Sequence, residues 1–238
     1  MSNLVAMFVY LENQPLLWLF VTLAVYLFAL GIQSMHRHLA LLNPVLLSAC
    51  FISLILWAAD ATYANYFAGA QFIHVMLGPA IVGLAVPVAR HLSALWRARY
   101  AVLAALICGA LVTTVSSIML AQAFDLSAEL VASLAPKSVT APIAMGIAAE
   151  LGGLTSIAAV LAVITGITGA VVVTPLFTAL GFKDWRARGF AVGVNCHGIG
   201  VAHAFQIHPI AGTFATIGMA LNGMFLSAVL PALFIVLS

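Results

Sequence analysis

The chain has 238 residues, of which 65% are hydrophobic and 6% charged, with a formal net charge of +2 and a mean hydropathy of +1.20. Too few ionisable groups remain to coat a water-soluble globule of this size, so the solvent for most of the surface must be lipid. The eight Lys and Arg residues are too scattered for a nucleic-acid footprint, and no sizeable soluble domain fits, so residues 1–238 read as one membrane domain.

The first fourteen residues carry Glu12 and no Lys or Arg, unlike the basic start of a cleavable signal, so the first apolar run is expected to stay in the mature protein. A crossing needs about 20 apolar residues, and crossings are expected at about 15–33, 44–59, 72–89, 100–123, 154–180 and 212–237. Two segments, about 127–152 and 189–207, are rich in Gly, Pro and polar residues and stand apart from this pattern. Hydrocarbon satisfies no free backbone group, and the long apolar runs exclude a β-barrel. The fold class is therefore all-α: a polytopic membrane protein with about six to eight transmembrane or re-entrant helical segments, some of them interrupted. Cys50, Cys108 and Cys196 lie in apolar runs and read as small buried hydrophobes.

Lys and Arg in short loops mark the cytoplasmic side. Arg37, then Arg90, Arg97 and Arg99, then Lys183, Arg186 and Arg188 fall in three such loops, whereas the connections at Asp60 and at Asp125–Glu129 hold no basic residue. Segment 127–152 must then cross an even number of times, which a re-entrant helical hairpin does. The competing reading is a broken spanning helix that puts Lys183, Arg186 and Arg188 outside. Gly78, Pro87 and Trp96-Arg97-Ala98-Arg99 recur as Gly166, Pro175 and Trp185-Arg186-Ala187-Arg188, a weak internal repeat.

The most informative stretch is Pro136 to Met145, PKSVTAPIAM, followed by Glu150, Gly152 and Gly153. Pro136 and Pro142 each lack a backbone N–H and disfavour helix in the residue before, so a break is expected. A half-helix starting near Pro142 would aim its N–H groups at that break, where Lys137, Ser138 and Thr140 add a charge and two hydroxyls suited to a carboxylate. The competing explanation is that Lys137 snorkels to the interface while the hydroxyls bond back to helical carbonyls.

Gly193 to Phe205, GVNCHGIGVAHAF, sets Asn195, His197 and His203 among small residues. Gly193, Gly198 and Gly200 allow irregular backbone or close helix packing. The imidazoles suit a proton relay or a bond to substrate, or simply interhelical hydrogen bonding. Gly78, Pro79 and Pro87 suggest a kinked or broken third crossing with His74 one turn before it, although packing alone explains such residues. Cys196, His197, His203 and His208 match no zinc spacing, no phosphate loop is present, and no nucleophile–base pair is recognisable, so no metal, cofactor or enzymatic activity is expected.

LGPAIVGLAVPVARH, SLAPKSVTAPIAM with the following ELGG, ITGITGA, and the Asn195–Ala204 block NCHGIGVAHA together resemble the ordered motifs of LrgB/CidB (antiholin-like) proteins from about Asn43 onward. The resemblance implies a bacterial cytoplasmic (inner) membrane protein, often acting with a small LrgA/CidA-type membrane protein and related to a plastidial glycolate/glycerate transporter. It implies either a carrier of small organic anions, monocarboxylates such as pyruvate, glycolate or lactate, or a non-transporting modulator of murein hydrolase export and autolysis. Interrupted helices with a Lys, hydroxyls and imidazoles at depth favour the carrier, with Lys137, Ser138, Thr140, Asn195, His197 and His203 binding substrate. Self-association as a homo-oligomer stays open. Two departures stand out: the family usually has Ser-His-Ala where this chain has Cys196-His197-Gly198, and Arg where it has His203.

Overall fold

The computed structural model describes residues 15–35, 42, 44–83 and 85–237; the expectations placed on Glu12, on Arg37 and on the side chains of His74 and Pro87 lie outside the described residues. Every long element among them is an α-helix, as backbone in lipid requires. Helices α1 (Pro15–Met35), α6 (Arg99–Ala123), α9 (Thr155–Ala179) and α11 (Pro209–Leu237) are the four long and apolar enough to cross a membrane. They leave large apolar side chains exposed, such as Phe20, Val112, Met119 and Val160, because lipid rather than water meets them.

The chain divides into two compact units, Met1–Gly83 and Leu84–Ser238. In the first, α1 packs on α2 (Pro44–Ala59) and α3 (Tyr63–Gly83). Trp18 meets Tyr66 edge-on with centroids 6.0 Å apart, and Phe28 meets Phe51 at 5.6 Å. A side chain at Gly69 would run into the Pro15 carbonyl, so this glycine sets how closely α1 and α3 approach.

The third crossing, expected over 72–89, falls on residues described as helix in α3 and again in α4 (Ala85–Arg90), with the short α5 (Leu92–Arg97) after a turn at His91. Gly78 and Pro79 lie inside α3. Gly166 and Pro175 share one continuous helix, α9. Cys50 and Cys108 are exposed, and only Cys196 is buried, because the first two sit on lipid-facing sides of α2 and α6.

The second unit contains two helical hairpins. Helix α7 (Ala128–Leu134) begins at Ser127, whose side chain accepts from the Leu130 N–H, and the chain breaks over 135–140 before α8 (Ala141–Glu150). After α8, Gly152 takes φ 74°, and the Leu154 N–H donates to Ser133 Oγ at 2.7 Å. A helix as long as α8 advances about 15 Å. The chain has therefore come back to the last turn of α7 instead of continuing across: 127–152 folds as a helix–break–helix hairpin at the start of α9.

Helix α10 (Trp185–Ile207) is the second hairpin, with its reversal at a single residue. His197 has φ 39°, ψ −140°. A straight helix of this length would hold its ends more than about 30 Å apart, yet the Trp185 indole stacks on His208 with ring centroids 4.9 Å apart. Residues 185–196 run in and 198–207 run back, after which α11 sets off beside the first arm. Side chains at Gly189 and Gly193 would strike the backbone of Ala211 and Ala215, so small residues four apart on each partner bring arm and helix into direct backbone contact. One hairpin starts where α9 begins and the other where α9 ends, so they approach from opposite ends of that helix.

Candidate functional site at the hairpin tips

Both tips converge on Asn222, near the middle of α11. Its Nδ2 donates to the Ser138 carbonyl at 3.1 Å and to the Val194 carbonyl at 2.8 Å. Ser138 lies in the first hairpin's break, and Val194 is in the last turn before the reversal at His197, where helical carbonyls run out of N–H partners. One amide thus uses its two hydrogens to satisfy one carbonyl from each hairpin. Asn222 is 1% exposed.

Four side-chain oxygens buried in this unit have no hydrogen-bond partner among the described residues: Thr114 Oγ1, Ser138 Oγ, Thr140 Oγ1 and Asn222 Oδ1. Three belong to the first hairpin's tip or to the residue anchoring it. Thr114 lies one turn beyond Ala110, which sits in a core cluster with Ala135, Val139, Ala144 and Leu226, so it is on the α6 face turned toward that hairpin. An unsatisfied buried hydroxyl or amide oxygen costs about 1–3 kcal/mol, so such a concentration marks a place built for something other than stability.

The predicted break is where sequence put it. Pro136 is fully buried in the turn, Pro142 falls in the first turn of α8, and Thr140 occupies the N-cap position without a side-chain cap bond. Lys137, within this break, is half-buried. Its ammonium has no hydrogen bond or ion pair among the described residues.

His197 and Asn195 sit at the second tip but face different neighbours. His197 Nε2 donates to the Ala162 carbonyl on α9 at 2.7 Å, which fixes the ring proton on Nε2. The ring fills a notch at Gly166, where a Cβ would lie 2.8 Å away, and Cys196 Sγ fills the next notch at Gly169. Asn195 turns to α6, where its Oδ1 accepts from Thr113 Oγ1 at 2.6 Å. It also borders an open cavity of about 450 Å³ reaching past Gly109 and Phe190 to Arg186. There Arg186 and Asp184 pair at 2.8 Å, and the Arg186 hydrogen bonds hold the exposed Asp184 carboxyl down to about 2.

His203 is not brought to this centre. It lies on the returning arm, beside a water-sized cleft shared with Arg188 and Trp185. Arg188, expected as a loop residue, is buried: its Nη2 donates to the Thr174 carbonyl and to Thr178 Oγ1, both at 2.8 Å, with Trp185 stacked 4.6 Å away. Gly200 faces Cys196 and Val192 between the two arms, while Gly198 has room around it. Of the two roles open to these glycines, Gly193 and Gly200 take close packing, and the reversal falls on His197.

Sequence reasoning missed Asn222, Thr113 and Thr114. Asn222 had a signal, being an amide inside an otherwise apolar crossing, where polar side chains are costly without partners. The Thr residues had none, because a threonine in a crossing ordinarily bonds back to its own helix.

A family model described as the LrgB-like family matches residues 22–236, across both units. Similar proteins include an uncharacterised protein of Haemophilus influenzae, 30% identical over 93% of this chain and 96% of its own length. The holin-like protein CidB of Staphylococcus epidermidis is 27% identical over 92% of this chain and 96% of its own. The CidB of Staphylococcus aureus is 26% identical with the same coverage. No solved structure matches the chain.

Proposed function

The chain belongs to the LrgB-like family, and from that premise we propose that it is a carrier of small organic anions, with monocarboxylates such as pyruvate, glycolate or lactate as substrates. The observation that carries this is the meeting of two helix breaks, approaching from opposite ends of α9, on the buried amide of Asn222. Broken helices at depth expose backbone groups that only protein, water or a ligand can satisfy, and transporters use such breaks as substrate sites. In this reading Lys137 meets the carboxylate, Ser138 and Thr140 bond its oxygens, and Asn195, His197 and Cys196 hold the second tip in place. His203 and Arg188 act nearer the mouth of the second hairpin.

The carrier resides in a bacterial cytoplasmic membrane, with Arg97, Arg186 and Lys183 on the cytoplasmic side, and works with a small LrgA/CidA-type membrane protein. Uptake of labelled pyruvate, glycolate and lactate into proteoliposomes, with and without that partner, tests it. Saturable uptake of at least one is expected, and none under either condition ends the carrier reading.

A second reading is favoured by the names of the relatives. Two of them are called holin-like, which suits a non-transporting modulator of murein hydrolase export and autolysis. It predicts lysis phenotypes that survive loss of the polar tip residues, since a pore component needs packed helices rather than a binding site.

A further inference from the structure

Asn222 poses a chemical problem that an anionic substrate does not solve. Both hydrogens of its Nδ2 are committed to carbonyls, one from each hairpin, and this fixes which amide atom is oxygen, since a carbonyl cannot donate and so must face the NH2. Its Oδ1 is therefore held in place, buried and without a donor. An acceptor oxygen repels a carboxylate. Only a donor or a cation satisfies it, and the two unpartnered hydroxyls at the adjoining tip, Ser138 and Thr140, offer lone pairs to a cation while their O–H hydrogens stay free to donate to a carboxylate.

We propose that Asn222 Oδ1, Ser138 Oγ and Thr140 Oγ1 bind one dehydrated monovalent cation, with sodium the natural candidate, at the tip of the first hairpin. Oxygen donors of this kind suit hard cations. No carboxylate stands among the residues assigned to the site, so a divalent ion would be left with two uncompensated charges in buried surroundings. Thr114 Oγ1, on the facing side of α6, is the further oxygen available to it.

Lys137 adjoins Ser138 and adds a second positive charge. Cation and Lys137 together then demand a negative charge between them, which the substrate carboxylate brings. Coupling follows directly: the cation raises the affinity for the anion, and by linkage the anion raises the affinity for the cation by the same factor. For its purpose this site rests on the carrier reading, but its existence does not.

The test uses the purified full chain in detergent, without substrate. Binding of radiolabelled sodium is measured at equilibrium, and thermal unfolding is followed in sodium chloride against choline chloride at equal ionic strength. Saturable binding and a sodium-dependent rise in Tm are expected. Ser138→Ala and Thr140→Val should each weaken sodium binding by roughly tenfold, the value of a bond to a charged group. In choline, Ser138→Ala should unfold at the same or a higher temperature than the parent, because the hydroxyl it removes has no partner. A chain that neither binds nor is stabilised by sodium overturns the proposal, as do two variants that bind like the parent, which would leave these oxygens to water. Sodium binding without monocarboxylate uptake keeps this site and removes the carrier; uptake without sodium binding does the reverse.

Discussion

Trp185 and His208, at the two ends of α10, stack face to face at 4.9 Å with ring planes 4° apart. That contact turns a segment of spanning length into a hairpin, and so decides how many times the chain crosses. Single cysteines at Arg97, Arg186 and Ile210 should therefore all react with an impermeant thiol reagent from one side of the membrane, and one at Leu126 from the other. The native cysteines are first replaced. If position 210 labels from the side opposite position 186, α10 is a spanning helix and the second hairpin is wrong.

Among the described residues, the amide of Asn222 is the one side chain bonded to both hairpins. Asn222→Leu keeps the volume but leaves the Ser138 and Val194 carbonyls buried without donors, at about 1–3 kcal/mol each. The variant should unfold at lower denaturant than the parent, with an unchanged dependence on denaturant. Asn222→Asp cannot donate while ionised and should be no better. An Asn222→Leu protein as stable as the parent would mean that the tips are held by packing alone.

Glycines on α9 test how closely the second tip is seated. Gly166→Ala puts a Cβ 2.8 Å from the His197 ring, and Gly169→Ala drives one into Cys196 Sγ. Neither neighbour is free to move, since His197 is bonded to Ala162 and already holds a φ of 39°. Overpacking of this kind costs about 1–3 kcal/mol. Gly146→Ala, in open space on α8, should be neutral or stabilising by up to about 1 kcal/mol. Melting temperatures of the three proteins, measured side by side, check the ranking.

How much of this was legible in the sequence depends on the kind of signal. Pro136 and Pro142 act on their own backbone, so the first break could be read locally, and the even number of crossings that Lys183 and Arg186 demand pointed to a hairpin there. The second hairpin was not readable as one. Its reversal falls on His197, a residue with no intrinsic preference for positive φ strong enough to flag it. The glycines near it, for which irregular backbone and close packing were both open, include Gly193 and Gly200, which lie in close contact with Ala215, Cys196 and Val192. Nor could spacing show that Asn195, His197 and His203 face three different neighbours, because their directions are set by helices distant in sequence.

Lys137 decides between a binding site and an interface anchor. Lys137 is half-buried, and its ammonium has no carboxylate or hydrogen-bond partner among the described residues, which is an unfavourable position for a cation whose only task is to reach water. Lys137→Ala removes the charge, and Lys137→Arg keeps it but replaces a compact ammonium with a wide planar fork. If the carrier reading holds, both variants lower uptake. Loss of a bond to a charged group costs about 1.5–3 kcal/mol, or roughly ten- to a hundredfold in affinity, so the Ala variant should show that rise in KM for monocarboxylate. Its thermal stability should match or exceed that of the parent, since a buried unpaired charge has been removed. A snorkelling lysine predicts the opposite pattern, with near-normal uptake by both variants. Full uptake by a stably inserted Lys137→Ala protein would remove Lys137 from the site and leave the free N–H groups at the start of α8, with Ser138 and Thr140, as the groups that meet the anion.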